Sequence, residues 1–255
     1  MTFDLSAFGL SLGGFLVLFG AAFLSSLARG FSGFGSALIF IPLVSAVIGP
    51  AAAAPLLLIV DTVPALGLIP NAWRNADRRE VGLTLCGATV GIPVGVLALV
   101  YFNPLAVRWA IVAVVAALLA LLMSGWHYRG QRSAGTSTLV GGVAGLLAGL
   151  AQIGGPPLIA YWLNGTIPAQ VVRANMMLFF AVVTVFSAIG YWAGAMFTLP
   201  LFLLALTMIP IYAVGLYLGT RLFGLASDTT FRRACYVLIA LAVIGGLPAL
   251  DGILR

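Results

Sequence analysis

Long apolar runs alternate with short polar or Gly/Pro-rich interruptions along the whole chain. The runs are Phe8–Leu27, Ser36–Ile48, Ala51–Asn71, Val81–Tyr101, Leu105–Met123, Leu139–Ala151, Leu158–Leu163, Val171–Ala193, Leu201–Leu222 and Ala234–Leu250. Crossing the hydrocarbon core takes roughly 20 apolar residues in a helix. None of the runs alternates with the period of two that marks a membrane β-barrel strand. The pattern predicts an all-α integral membrane protein in one transmembrane domain, with about eight full spans plus half-helices at this length criterion.

Two interruptions fall inside apolar sequence rather than between spans. In the second half, Gly154-Gly-Pro-Pro157 follows Gln152, and a run resumes at Leu158. Proline lacks the N–H and its ring clashes one turn back, so a continuous helix is excluded there. In the first half, Arg29-Gly-Phe-Ser-Gly-Phe-Gly35 breaks one run and Ser36 restarts another. Gly35-Ser-Ala-Leu-Ile39 matches Gly155-Pro-Pro-Leu-Ile159 at an offset of 120 residues. The chain therefore divides into a first repeat over 8–123, a linker over 124–138 and a second repeat over 139–250. Each repeat reads as a broken, re-entrant hairpin followed by three spans. Non-helical backbone at membrane depth is tolerated only where protein buries it or a wet cavity meets it. Paired interrupted segments in two halves are a sequence pointer to a transporter's binding site.

Composition supports the membrane assignment and excludes other classes. The 255 residues are 62% hydrophobic and only 7% charged, with mean hydropathy +1.18; a soluble domain carries about a quarter charged residues. The net charge of +6 comes from 12 arginines against 6 acids, with no lysine. In this setting the arginines read as topology signals rather than a nucleic-acid surface. Arg74, Arg78, Arg79, Arg129, Arg132, Arg232 and Arg233 lie in loops 72–80, 124–138 and 223–233, whereas loops 102–104 and 195–200 carry no charge. The charged loops are therefore expected in the cytoplasm, with both termini outside. The two halves then enter the membrane in opposite senses, as an inverted repeat. Asp4 and the long first run argue against a cleavable signal peptide. Cys86 and Cys235 sit in apolar runs and suggest neither a disulfide framework nor a metal site. No cofactor and no His/Cys/Asp/Glu metal cluster is expected.

The candidate chemistry is anion binding. A half-helix that starts within the membrane presents unpaired N–H groups and the positive end of its dipole. Gly33, Gly35, Gly154 and Gly155 let backbone approach a ligand. Arg29, just before the first break, suits an anion through its planar fork; an inner-surface anchor is the competing reading. Arg173 invites the same two readings. Ser32, Gln152 and Asn175 are hydrogen-bond donors for oxyanion oxygens, or interhelical bonds. Asp61 lies mid-span, where an ionisable group is a functional hypothesis by default; it is the candidate to carry a coupling proton or pair with Arg29.

Gly33-Phe-Gly-Ser-Ala-Leu-Ile-Phe-Ile-Pro42 and Gly145 through Pro157, continuing Leu158-Ile-Ala-Tyr-Trp162, resemble the TauE/SafE sulfite exporter family of membrane permeases. The resemblance implies a secondary transporter, not an enzyme, that exports sulfite, sulfoacetate or other organosulfonates from a bacterial inner membrane. Its partners are then a small anionic substrate and the lipid bilayer, with homo-oligomerisation left open. The first half departs from the family, which often carries a run of glycines where this chain has Gly33-Phe-Gly35-Ser36. Two other classes stay in view. Broken helices also line channels. Gly30-Phe-Ser-Gly33 has the look of an intramembrane serine hydrolase, but Ser32 would need a histidine base within reach, and the sole histidine, His127, is in the linker.

Overall fold

The computed structural model describes residues 11–66, 69–163, 168–222 and 228–251, and among these the side chains of all but residues 32, 64, 65, 71, 169 and 228–232. The described residues form helices without strands: α1 (Leu12–Ser32), α2 (Ser36–Ile48), α3 (Pro50–Ala65), α4 (Ile69–Asn75), α5 (Arg78–Tyr101), α6 (Pro104–Ser124), α7 (Ala134–Ala151), α8 (Gly155–Trp162), α9 (Ala169–Ala193), α10 (Leu199–Leu222), α11 (Asp228–Gly246) and a closing 3-10 turn at Pro248–Leu250. Among them α1, α5, α6, α7, α9 and α10 are long and apolar enough to span a membrane; α2, α3 and the apolar part of α11 are shorter. The chain is thus an all-helical, multi-pass membrane protein.

Local chemistry sets several boundaries differently from the hydropathy pattern. The charged stretch 72–80 is mostly helical, because Asp77 accepts a hydrogen bond from Glu80 N and starts α5 at Arg78. The expected span 51–71 divides into α3 and α4. Ser133 and Thr136 make a reciprocal capping box that starts α7 inside the linker. The prolines read as a stop in the second half also open a helix: Pro156 and Pro157 stand in the first turn of α8, where a missing N–H costs nothing. The first break is narrower than Gly30–Gly35, since α1 continues to Ser32 and ends on Gly33 in the left-handed region, φ +78°. Gly35, φ +97°, then turns the chain into α2. Two left-handed residues so close are tolerated only without a Cβ.

Glycine seams hold the bundle. A methyl at Gly87, Gly91 or Gly95 of α5 would overlap the backbone of Thr138, Gly142 or Leu146 of α7. Gly141, Gly145 and Gly149 return the relation against Thr84, Ala88 and Ile92. On the other side, Gly30 of α1 meets Leu216 of α10, and Gly219 meets Leu27. Close backbone approach is how helices associate where lipid supplies no hydrophobic contrast. The short helices α2 and α8 lie within this frame and are almost wholly buried.

Candidate functional site

The two helix breaks face one another. A Cβ built on Gly155 would lie 3.4 Å from Phe34 Cβ, with Phe180 and Met176 of α9 at 3.5 and 3.6 Å. Phe34 stands between the two left-handed glycines of the first break. The ring of Phe180 reaches onward to the last turn of α1, where the Arg29 guanidinium carbon lies 5.8 Å from its centroid.

Arg29 is paired. Its Nε lies 2.6 Å from Asp61 Oδ1, with side-chain exposures of 16% and 18%. The same oxygen accepts from the hydroxyl of Tyr212 at 2.6 Å, and Tyr212 on α10 is fully buried. A carboxylate thus holds the Nε edge of the cation.

Two cavities meet at this place. The smaller, about 180 Å³, is bounded by Arg29, Asp61, Thr62, Phe180, Thr184 and Thr220 among others. The larger, about 640 Å³, runs past Phe34 and Gly35 to Trp126 and His127 of the linker and to Cys235 of α11. It reaches the surface there, Trp126 being 58% exposed. Gly33 and Arg173 border both cavities. A Cβ on Gly33 would lie 3.7 Å from Arg173 Nε, so the arginine side chain passes directly over the glycine of the first break. Arg29, Asp61 and Arg173 are the charged residues on the small cavity's wall.

The remaining expected residues divide. Gly154 and Gly155 serve the packing of the second break, against Ala144 and Phe34, and border neither cavity. Gln152 ends α7 at φ +58°; its Nε2 donates to Ala148 O at 3.2 Å and to the Tyr191 hydroxyl at 3.1 Å. Asn175 is fully buried; its Oδ1 accepts from Asp77 N at 2.7 Å, while its Nδ2 has no partner among the described residues. The Ser32 side chain lies outside the described residues. His127 is nearer the first break than its place in the linker suggests, since it shares the larger cavity with Gly33; its Nδ1 lies 3.2 Å from Gly125 O. No group of three His, Cys, Asp or Glu gathers among the described residues.

Sequence reasoning missed Tyr212, Phe180 and Glu80. Tyr212 had a signal, because a hydroxyl in an apolar span must find a partner. Phe180 had none, being one apolar residue among many. Glu80 was masked by its charged neighbours; it is 8% exposed and faces inward from the first turn of α5.

The family model described as Sulfite exporter TauE/SafE matches residues 18–245, nearly the whole chain, and so covers both breaks and both cavities. No curated protein and no solved structure matches the chain.

Proposed function

From the premise that the chain belongs to the TauE/SafE sulfite exporter family, we propose that it exports small sulfur-containing anions, such as sulfite, sulfoacetate or other organosulfonates, by alternating access. The observation that carries this reading is the Arg29–Asp61 pair on the wall of a cavity of about 180 Å³, one aromatic ring from the second helix break. A small oxyanion fits that volume, and its oxygens match the fork of a guanidinium.

The pair supplies a mechanism. An arriving anion competes with Asp61 for the guanidinium. Keeping a carboxylate charged in a low-dielectric site without its cation costs several kcal/mol, so Asp61 takes up a proton as the anion binds. Tyr212, already donating to Asp61, steadies the carboxylate until the proton arrives. One anion then moves with one proton. Arg173, over Gly33 at the boundary of both cavities, receives the anion from the larger cavity and passes it to Arg29. Gln152, Gly154 and Gly155 act around this path by fixing the second break, and Asn175 by holding Asp77 at the start of α5.

The inverted repeat is supported by exchanged partners. The break helix of the first half, α1, packs on α10 of the second, while the break helix of the second half, α7, packs on α5 of the first. Likewise α3 packs on α10 and α9 on α5, and α2 packs on α11 and α8 on α6. A pseudo-two-fold axis generates such reciprocal pairs, and rocking of one half against the other alternates access.

Uptake of radiolabelled sulfite and sulfoacetate into proteoliposomes tests the reading. Saturable uptake is expected in wild type. In Arg29→Ala it is expected to fall about tenfold or more, since hydrogen bonds to charged groups contribute about 1.5–3 kcal/mol. Asp61→Asn is expected to retain exchange and lose its response to a pH gradient. Wild-type liposomes that take up neither anion, nor a wider panel of small anions, would overturn it.

A further inference from the structure

The re-entrant helix α8 is fastened at its far end by a buried polar cluster that the anion path does not use. Trp162 Nε1 donates to Glu80 Oε1 at 3.3 Å. Ser137 of α7 donates to the same oxygen at 2.8 Å, and its hydroxyl lies 2.8 Å from that of Tyr161. Thr136 lies 3.0 Å from the Tyr161 hydroxyl. The linker joins in: Tyr128 N donates to Ala160 O at 2.8 Å, and the rings of Tyr128 and Tyr161 stand 5.3 Å apart. The last three residues of α8 are thus each bonded, and one carboxylate oxygen ties α5 of the first half to α7 and α8 of the second.

Three features make this more than packing. Glu80, Ser137, Tyr161 and Trp162 are all buried. No cation lies within ion-pair distance of Glu80 among the described residues, so the carboxylate is held by neutral donors alone. Finally, Ile159, Ala160 and Leu163, at the same end of α8, form a wall of the larger cavity together with Cys235.

We infer that Glu80 is a positioning residue for transport: its Oε1 pins the C-terminal end of α8 and thereby sets the wall of the cavity through which the anion passes. The consequence for transport rests on the transporter reading; the effect on the cavity wall does not. Glu→Gln keeps an acceptor oxygen at the right reach, whereas Glu→Asp keeps the charge and draws the oxygen back by one methylene. A positioning role therefore tolerates the first and not the second, the reverse of a purely electrostatic role.

The test uses a native reporter, Cys235, in a Cys86→Ser background in nanodiscs, with both faces open to an impermeant, anionic methanethiosulfonate reagent. In Glu80→Ala and Glu80→Asp, labelling of Cys235 is expected to be about tenfold faster, the factor that about 1.4 kcal/mol of lost hold gives. Glu80→Gln is expected within about twofold of wild type, and Ser137→Ala at least about threefold faster, the low end of what one lost hydrogen bond gives. Wild-type labelling rates in folded Glu80→Ala, or equal acceleration in Glu80→Gln and Glu80→Asp, would overturn the inference. Should Glu80→Ala not fold, Ser137→Ala decides, and a wild-type rate there overturns it. Labelling needs no substrate, so failure of this inference is distinguishable from failure to transport sulfur anions, which the liposome assay reads. Where transport is measured, the KM for sulfoacetate is expected to rise in Glu80→Ala and return in Glu80→Gln.

Discussion

At the scale of single residues, the site turns on how one carboxylate divides itself. Asp61 Oδ1 holds both Arg29 and Tyr212. When an anion draws Arg29 away, the Tyr212 hydroxyl is the donor that remains. Tyr212→Phe removes that donor and leaves the ring, so displacement becomes harder. Its KM for sulfoacetate is expected to rise about tenfold or more, as for a hydrogen bond to a charged group, and an unchanged KM would remove Tyr212 from the exchange. Arg29→Lys keeps the charge but not the fork, so its uptake is expected between those of wild type and Arg29→Ala in the same liposome assay. Asp61 and Arg29 were legible in the sequence because a charge in an apolar span is costly and needs a partner or a function to persist. Their pairing was one of two readings and needed the tertiary fold. Glu80 was not legible, because Arg78, Arg79 and Glu80 are consecutive and a helix turns each by about 100°. Which of the three faces inward depends on where Asp77 caps α5, a detail that hydropathy does not carry. Gln152 stands at the expected break but makes helix-end contacts there. It is left-handed at the end of α7, and its amide joins that end to Tyr191.

At the scale of elements, glycine spacing matters more than hydrophobicity. Gly87, Gly91 and Gly95 repeat every fourth residue and bring α5 backbone against α7 backbone. Because the atoms met are backbone, a side chain has no way to be accommodated by rotamer changes. Gly91→Leu is therefore expected to separate the seam and cost at least the 1–3 kcal/mol or so of ordinary overpacking. Thermal unfolding in detergent measures it, and Gly82→Leu, at a position with nothing within 4 Å, is the matched control. A similar loss in both variants would contradict the seam. The two helix interruptions were visible in sequence because glycine and proline have narrow backbone meanings. The boundaries were less visible, since Pro156-Pro157 serves equally as the end of one helix and the first turn of the next. The partner exchange between halves lies beyond any local pattern: nothing in the composition of α1 states that it packs on α10.

At the scale of the whole molecule, the expected orientation rests on which arginines are already neutralised. Arg108, near the start of α6 on the expected outer side, would weaken the positive-inside bias if it stood alone. It does not: its two terminal nitrogens reach the two Asp251 oxygens at 2.5 and 2.9 Å. Arg29 is likewise cancelled by Asp61. Arg74, Arg78, Arg79 and Arg129, all exposed, remain at the opposite end, and positive charge near span ends is what holds a segment in the cytoplasm. The linker end is then expected in the cytoplasm, and with it the mouth of the larger cavity, because Trp126 and His127 border it. Single cysteines in a Cys86→Ser, Cys235→Ser background check this in intact cells. Substitutions at Asn103 and Thr198, both exposed, are expected to react with an impermeant thiol reagent from outside. Asn75 and Gly130, also exposed, are expected to react only after permeabilisation. Retaining Cys235 alone extends the logic from topology to access. If the larger cavity opens inward, Cys235 is labelled in inverted vesicles and protected in intact cells, and an outward gradient of sulfoacetate, by populating the outward-open form, slows its labelling. Labelling in intact cells alone would reverse the orientation and with it the sense in which the two halves alternate.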